Sequence, residues 1–484
     1  MIKYIFEGTR TVFILSVAMA LSVAESGWAG NEELNASESN KHSHEMNGRG
    51  PASDPLDPVP YRMRALQLRD TAVPLTTGTE FNPAISVILD FTYANFTDDI
   101  DDPPGFLVGG GHGHGHGHGH GVEEGFNLRE MEVTFSGSID PYFDALAVFN
   151  VTPDDLEVEE AYITTRMLPA GLQVKAGKFL SDVGYINKQH IHDWLFVDAP
   201  WMREFMFGDE GLNEAGVQLS WVPPTPQYTR FGVEILEGAT PGVSSFVGDG
   251  RHEIVTLLPD AGSPERVRWR ADKGFSDTTG PRLFTGFAKW APDLGYNHAI
   301  QFGTFGGYSR EFQAEEVHSS GRLETWDGDA WFAGGDVVYK YDGQGVMGHG
   351  NVVIQAEYMY RELDLRYQSR EFESFSSLVT TDANDQRWQQ DGLYVQGVYG
   401  FLPRWNAGAR LDILGLINDG FENRGDSVDF GTSYRYTGQV AYGPTEFSRI
   451  RAQVSYNDIA DGHDEWQFML QYSMSLGVHG AHAF

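Results

Sequence analysis

The sequence predicts an all-β fold, a transmembrane antiparallel β-barrel of about 16 strands with short periplasmic turns and long extracellular loops. Two observations lead to this prediction. From Pro83 onward, apolar and polar residues alternate with period two in repeated segments of about ten residues, the length that a tilted strand needs to cross a bilayer. The connections between these segments are alternately short and long, which is typical of bacterial outer-membrane barrels.

The chain opens with a predicted secretory signal peptide, residues 1–29. It has a basic start, an apolar run from Val12 to Ala24, and then small and polar residues up to Ala29. The apolar run is shorter than the roughly 20 residues of a spanning helix, so we expect cleavage after Ala29 or else after Ala24. Residues 30–80 lack apolar periodicity and are predicted to form a disordered periplasmic tail, which leaves residues 81–484 for the barrel.

The composition is strongly acidic and lacks cysteine. Asp and Glu number 68 against 34 Lys and Arg, which gives a formal net charge of −34. Nucleic acid is therefore not expected as a partner, because phosphate binding needs a basic face, whereas cations are favoured. The absence of cysteine from all 484 residues excludes disulfides and thiolate metal ligands.

The last strand shows the alternation most clearly. Its apolar face is formed by Trp466, Phe468, Leu470, Tyr472, Met474, Leu476 and Val478. Mostly polar or small residues lie between them, and the same register reaches the terminal Phe484. A soluble sandwich also alternates, but it seldom needs so many strands of about ten residues. Charged residues on the second face of many strands fit a water-filled lumen and favour a spanning barrel.

The connections set the topology. Short ones are predicted at residues 140–143, 168–171, 223–227, 293–297, 342–350, 402–404 and 444–446. Longer ones are predicted at residues 95–126, 180–213, 237–280, 310–328, 362–388 and 418–432, with short outer connections near 152–157 and 459–464. This alternation implies an even number of strands with both termini periplasmic.

The most conspicuous motif is a run from Gly109 to Gly121, in the predicted first extracellular loop, where five histidines alternate with glycine. The histidines are His112, His114, His116, His118 and His120. Imidazole is a common ligand for transition metals and glycine lets several rings reach one ion, so the run predicts capture of zinc, or else nickel or copper. The imidazoles must be neutral, so capture weakens as the pH falls through about 6.5. The alternative is a low-complexity expansion without a role.

Several segments resemble the opening of phosphate-selective-type outer-membrane porins. They are Gly-Phe-Asn-Leu-Arg-Glu at 125–130, Asp140-Pro141, Ala161-Tyr162-Ile163 and the run from Gly171 to Phe179. The terminal Phe484 resembles the signal that the barrel-assembly machinery reads. The resemblance implies a porin-like barrel in the outer membrane. The basic ladder on which that family's selectivity relies is not matched, because acids accompany the basic wall residues Lys175, Arg410, Arg435, Arg449 and Arg451.

The chain is also similar to outer-membrane proteins that are associated with zinc supply and are sometimes labelled TonB-dependent receptors. True receptors of that class have a plug domain before a barrel of about 22 strands. Residues 30–80 are too few for a plug, so a receptor without a recognisable plug is an alternative and a channel is the main hypothesis.

In porin-like barrels the third extracellular loop, here residues 180–213, folds into the lumen and narrows it. The loop contains His190 and His192, whose rings would share one face of an extended segment, and Asp193, which would orient a ring or add an oxygen ligand. These three residues predict a second metal site below the first loop. The alternative is that both histidines are simply packed and hydrogen-bonded among the aromatic residues of this loop.

The sequence thus predicts a porin-like channel for uptake of divalent metal ions, zinc first, with a His-rich collector. The alternatives are the zinc receptor and a general or anion porin with an incidental His-rich loop. No enzyme is predicted, because the sequence has no nucleophile elbow, HExxH or phosphate-binding loop. No cofactor is required; zinc, nickel or copper would be the bound or transported ion. The expected partners are outer-membrane lipid, divalent metal and, through Phe484, the barrel-assembly machinery; a homotrimer is left open.

Overall fold

The computed structural model describes residues 83–98, 103–106, 122–152, 156–249, 251–258, 265–272, 274–275, 278–318, 322–374, 377–422 and 425–477. The predicted signal peptide (1–29), the predicted tail (30–80), the His-Gly run (109–121) and Phe484 lie outside the described residues. The predictions made for those segments therefore stay predictions.

The described residues form nineteen strands and a few short helical segments. The strands are β1 (Ala84–Phe96), β2 (Gly125–Ser138), β3 (Phe143–Val151), β4 (Leu156–Thr165), β5 (Leu172–Leu180), β6 (Asn213–Trp221), β7 (Tyr228–Leu236), β8 (Arg251–Leu258), β9 (Glu265–Asp272), β10 (Leu283–Ala291), β11 (His298–Val317), β12 (Leu323–Tyr341), β13 (Val352–Ser374), β14 (Ser377–Leu402), β15 (Trp405–Glu422), β16 (Asp426–Asp429), β17 (Ser433–Thr445), β18 (Ser448–Asp458) and β19 (Asp464–Gly477). The helices are α1 (Trp201–Phe207) and α2 (Pro241–Ser244), with 3-10 turns at Pro169–Gly171, Ile191–Asp193 and Val346–Gly348.

Sixteen of the described strands close into an antiparallel barrel in which each strand pairs with its neighbours in sequence. The barrel closes because β1 pairs with both β2 and β19. The hairpin β8–β9 is a separate sheet within the connection from β7 to β10, and the short β16 pairs only with the end of β15. The predicted 16-strand barrel is confirmed. No helix among the described residues is long and apolar enough to cross a membrane.

The alternation of side chains separates an apolar outer face from a polar lumen. In β18, Ile450 and Val454 are 38% and 42% exposed on the outside, whereas Arg451 and Gln453 point inward and are each 1% exposed. The outward face predicted for the last strand is likewise exposed at Trp466, Phe468, Leu470, Tyr472 and Leu476. Lipid offers no hydrogen-bond partner, so a closed barrel with this polarity satisfies the backbone at every level of the bilayer.

Five consecutive strands are longer than the sequence predicted. Strands β11 to β15 have 20, 19, 23, 26 and 18 residues, whereas about 9–11 residues cross a bilayer. The loops predicted at 310–328 and 362–388 are therefore wrong over most of their length. The loop predicted at 418–432 is wrong at the end of β15 and at β16.

An inversion of polarity along β13 explains this error. Leu363 and Leu365 point inward and pack with Phe312, whereas Asp364 and Arg366 are exposed on the outside. Beyond the bilayer, water replaces lipid around the barrel, so the outer face turns polar while the strands continue to pair. The charged residues of this region led to the prediction of a loop from the sequence. In the structure they belong to strands that continue beyond the membrane into water.

The third loop, residues 181–212 and called loop 3 below, folds into the barrel, and its predicted bounds are confirmed within one residue. It carries the 3-10 turn Ile191–Asp193 and the helix α1, of which all seven residues are buried. Wall residues hold its backbone. Glu357 of β13 accepts hydrogen bonds from the amides of Tyr185 and Ile186, both at 3.2 Å. Arg451 of β18 donates to two carbonyl oxygens of the loop, at 2.6 and 2.8 Å.

A buried ion-pair network locks the middle of loop 3 to the wall. The two carboxylate oxygens of Asp198 pair with Arg410 at 2.8 Å and with Arg435 at 2.9 Å. Both guanidinium groups also pair with Asp412 at 2.9 Å. Burial by itself would raise the pKa of Asp198, but Arg410 and Arg435 outweigh burial and hold it well below its usual range.

Replacing Asp198 by alanine is expected to release loop 3. The change leaves two buried guanidinium groups with one carboxylate between them, and breaking a buried pair costs about 3–5 kcal/mol. We expect trypsin to cleave the folded variant in detergent at Lys188 or Arg203 and to leave both sites uncut in the parent. The control is Asp461→Ala, which removes an exposed pair with His463 and should leave the cleavage pattern unchanged. Equal protection of both variants would contradict the anchoring role of Asp198.

Candidate metal centre

Two β-bulges turn adjacent residues into the lumen at the outer ends of β2 and β4. In the pairing of β1 with β2, the register shifts between Asp90 and Phe91, so that Arg129 is the extra residue. In the pairing of β3 with β4, a similar shift makes Glu159 the extra residue. A bulge aims neighbouring side chains toward one face, which strict alternation forbids. Arg129 and Glu130 are therefore both buried, and Glu159 and Glu160 both reach the same histidine of loop 3.

The histidines of loop 3 meet these acids. His190 and His192 lie at the 3-10 turn Ile191–Asp193 and not in the extended segment that the sequence predicted. Their rings nevertheless stack, with centroids 5.7 Å apart and an interplanar angle of 16°. The two rings thus lie on the same side of the loop, as predicted, but a tight turn places them there and not an extended segment.

Glu132 lies between the two imidazoles. Its Oε2 atom is 3.3 Å from Nδ1 of His190 and 3.2 Å from Nδ1 of His192. Its other oxygen accepts a hydrogen bond from Thr134 at 2.7 Å. Glu159 completes the outer side of the cluster, with Oε1 at 3.1 Å from Nδ1 of His190.

The second nitrogen of each ring faces another carboxylate. Nε2 of His190 is 3.0 Å from Glu160, and Nε2 of His192 is 3.7 Å from Asp193. Metal-binding histidines commonly direct one nitrogen to the ion and the other to a carboxylate that fixes the ring. Asp193 was predicted either to orient a ring or to act as a ligand; its position fits the orienting role.

Glu130 is the least satisfied group of the cluster. Its side chain is fully buried, and neither carboxylate oxygen has a hydrogen-bond partner among the described residues. The nearby Arg129 is engaged elsewhere, with Asp90 at 3.4 Å and with the carbonyl oxygen of Val197. A buried carboxylate without a partner is costly, and a bound cation would remove this cost.

The carboxylates also govern the protonation of both rings. Burial by itself lowers the pKa of His192, but Asp193 and Glu132 outweigh burial and raise it to about 9. For His190, burial lowers the pKa, whereas Glu159 and Glu132 raise it well above its ordinary value. These shifts favour the positively charged, doubly protonated form of both rings, so an ion binds by displacing protons.

The described residues form two metal-compatible triplets here, Glu130–Glu132–His192 and Glu132–Glu159–His190, in each of which the ligand atoms lie within 4.8 Å of one another. A further triplet, Glu316–His318–Glu324, lies near the tips of β11 and β12. In that triplet the guanidinium of Arg322 is 3.2 Å from His318 and 3.4 Å from Glu324, so a positive charge already balances the acids. The loop 3 cluster therefore suits a cation better.

A cavity of about 560 Å³ leads to the cluster from the loop-bearing end of the barrel. His190 and Glu159 lie in its lining, as do Trp194 and Arg203 of loop 3. Its other acidic lining residues are Glu123, Glu157, Asp209 and Glu210. Five carboxylates around one cavity create a negative potential that concentrates cations next to His190.

Of the metal ligands predicted from sequence, the structure brings together His190, His192 and Asp193. The histidines from His112 to His120 lie outside the described residues, and their role stays a prediction. Sequence reasoning did not assign Glu130, Glu132, Glu159 or Glu160 to this site. The signal was present: two adjacent polar residues interrupt the alternation in β4, as a bulge requires.

The fold and this site define a class. A closed barrel with an apolar outer face, a polar lumen and an inserted loop is an outer-membrane protein of porin-like architecture. No protein-family model matches the chain. The chain is 32% identical over 420 residues to an uncharacterized protein of Aquifex aeolicus (strain VF5), and the match covers 84% of this chain and 80% of that one. The chain belongs to the same family as that Aquifex protein.

Among solved structures, similar ones are outer-membrane porin-type barrels. OmpT of Vibrio cholerae in a trimer form has a TM-score of 0.45 and 11% identity, with 82% of this chain and 99% of that chain covered. The channel DcaP of Acinetobacter baumannii has a TM-score of 0.43 and 12% identity, with 82% and 96% covered. An anion-selective porin from Comamonas acidovorans has a TM-score of 0.42 and 8% identity, with 82% and 99% covered. Scores and identities this low transfer no property to this chain.

Replacing Glu130 by methionine is expected to stabilise the barrel when metal is removed. The change replaces an unpartnered buried carboxylate by an apolar side chain of similar length, so we expect a gain of about 1–3 kcal/mol. The matched change Glu132→Met removes the acceptor of Thr134 and the partner of both imidazoles, and it should destabilise. Thermal unfolding in detergent with a chelator measures both. A loss of stability in Glu130→Met would contradict the account of this site.

Proposed function

We propose that this protein is an outer-membrane channel for passive uptake of divalent metal ions, with zinc as the first candidate. The observation that carries the proposal is the cluster of His190, Glu132 and Glu159, which lies beside an acid-lined cavity at the loop-bearing end of the barrel. Imidazole and carboxylate together suit zinc and its neighbours among the transition metals.

The cavity acts as the first stage of capture. Its carboxylates attract any cation, and the negative charge of the whole chain, −34, acts in the same direction. Discrimination then falls to the imidazoles, because magnesium and calcium prefer oxygen ligands whereas zinc, nickel and copper accept nitrogen. Selection by His190 therefore follows collection by the acids.

The His-Gly run serves this cavity as a collector. The described residues on either side of the run, Phe106 and Val122, are buried in the barrel at 3% and 1% exposure. The ring of Phe106 packs edge-to-face on the ring of Phe205 of α1, with the ring centroids 6.3 Å apart. Glu123, which follows Val122, lines the cavity. The described chain before the run thus ends against loop 3 at Phe106, and the described chain after it begins beside the cavity.

A general or anion porin is the second candidate, and the wall arginines count against its anion-selective form. Arg410, Arg435 and Arg451 face the lumen, as the sequence predicted, but their guanidinium groups bind Asp198, Asp412 and carbonyl oxygens of loop 3. Groups engaged in this way cannot serve as a ladder for anions. A zinc receptor of the TonB-dependent type would show no steady conductance in a planar bilayer, whereas a channel would conduct steadily.

Replacing His190 by alanine is expected to weaken zinc passage selectively. Loss of one ligand should reduce zinc affinity about 10- to 100-fold, so flux at low micromolar zinc falls while potassium conductance stays the same. Purified protein in vesicles that enclose a zinc-sensitive dye measures the flux, and planar bilayers measure conductance and ion preference. The control is Glu237→Gln, which removes a pair with Arg282 away from the cluster. Equal zinc flux in the His190→Ala variant and the parent would refute the proposal.

Deleting residues 111–121 is expected to lower zinc uptake only when zinc is scarce. The run adds local concentration and no part of the described barrel, so assembly and uptake at high zinc should not change. Zinc uptake is measured by the growth and zinc content of cells in the presence of a chelator. Barrel assembly is measured by heat-modifiable migration on gels. Unchanged uptake at low zinc would make the run incidental while leaving the channel proposal intact.

The other predicted partners stay proposals. The barrel-assembly machinery would recognise the strand that ends in Phe484, and a homotrimer would associate through the apolar outer face. Native electrophoresis of the protein extracted from membranes distinguishes a trimer from a monomer.

A further inference from the structure

We propose that the loop 3 cluster holds two divalent ions that share Glu132, an outer ion next to the cavity and an inner ion behind it. The proposal deepens the proposed function, because it rests on the same cluster as a metal site. Its distinctive claim is the inner site, formed by Glu130, Glu132 and His192.

The geometry supplies two sets of ligands and not one. The triplet Glu132–Glu159–His190 and the triplet Glu130–Glu132–His192 have Glu132 in common. The contacts of Glu132 to the two Nδ1 atoms, 3.3 and 3.2 Å, match the separation of about 3.3 Å between two ligand atoms of a tetrahedral zinc ion. A carboxylate that faces two imidazoles in this way can bridge two ions, which lie about 3.5–4 Å apart in two-metal sites.

The carboxylates around the rings outnumber the charges of one divalent ion. Five carboxylates face the rings or share their triplets, those of Glu130, Glu132, Glu159, Glu160 and Asp193, and they carry five negative charges when ionised. The guanidinium of Arg129 is paired with Asp90, and that of Arg203 lies in the lining of the cavity. With both imidazoles neutral, two divalent ions neutralise four of the five carboxylates, whereas one ion neutralises two.

Glu130 is the independent observation that points to the inner ion. It is fully buried, and both of its oxygens lack a hydrogen-bond partner among the described residues. Glu130 pairs with Asp90 across β1 and β2 with both side chains buried in the lumen, and the β-bulge at Arg129 turns a second residue inward beside it. No hydrogen bond among the described residues offsets this burial, and a role as a metal ligand would.

The two sites differ in access, and this sets the order of filling. His190 and Glu159 of the outer triplet line the cavity, whereas Glu130, Glu132 and His192 do not. An ion therefore enters at the outer triplet and passes inward along Glu132. A second ion that then occupies the outer site repels the first, and such repulsion between adjacent sites lets a selective channel release what it binds.

The test is the number of zinc ions bound by single-site variants. The full-length chain is used with His112, His114, His116, His118 and His120 replaced by serine, so that the His-Gly run does not contribute. After chelation and removal of the chelator, zinc binding is measured by titration calorimetry and by elemental analysis. We expect two tight ions in this background and in the control Glu237→Gln, one ion in Glu130→Gln, and none in Glu132→Gln.

The variant Glu159→Gln tests whether the inner ion enters through the outer site. This variant should still bind the inner ion, but binding at the inner site should slow at least tenfold, as measured by stopped-flow with a zinc-sensitive dye. Two ions in Glu130→Gln, or one ion in the background protein, would overturn the inference. The cobalt form gives a second readout, because loss of the inner ion removes the magnetic coupling between paired ions, and migration on gels confirms that each variant is folded.

Failure of this inference and failure of the proposed function give different results. One bound ion with zinc flux in vesicles retains the channel and removes the paired site. Two bound ions without flux retain the paired site and remove the channel function.

Discussion

The ion pairs of Asp198 and Asp412 with Arg410 and Arg435 are the interaction on which the rest of the site depends. They hold loop 3 inside the barrel, and loop 3 carries both histidines of the candidate metal centre. The network is stable there because the barrel wall excludes water and two carboxylates face two guanidinium groups. The lumen would otherwise be a wide polar pore. Ion pairs that narrow the pore thus also assemble the candidate site.

Two irregularities of the sheet supply the other half of the centre. A regular strand presents every second residue to the lumen, so it cannot offer two adjacent acids to one ligand. The bulges at Arg129 and Glu159 break that rule on two strands of the same wall, next to the tip of loop 3. The bulge at Glu159 brings this carboxylate toward the imidazoles, and the bulge at Arg129 places a guanidinium in the lumen beside Glu130.

The extended strands show where sequence patterns mislead. Alternation predicts strands equally well in lipid and in water, but the meaning of the two faces reverses at the membrane surface. In β13 the inward residues change from Glu357 and Arg361 to Leu363 and Leu365, while the outward residues become charged. If strands are expected to be apolar on the outside and polar on the inside, such a segment is interpreted as a loop. The rule failed because its physical basis, lipid outside and water inside, no longer holds there.

By itself, the sequence determined the barrel, the strand number, the order of short and long connections and the bounds of loop 3, because these follow from local periodicity and turn chemistry. It also identified His190 and His192. Only the tertiary structure decided which acids meet them. Glu132 and Glu160 lie 58 and 30 positions from His190 along the chain, so no local pattern links them. The partners are chosen by closure of the barrel, by two bulges and by the insertion of loop 3, which exist only when the distant strands are paired.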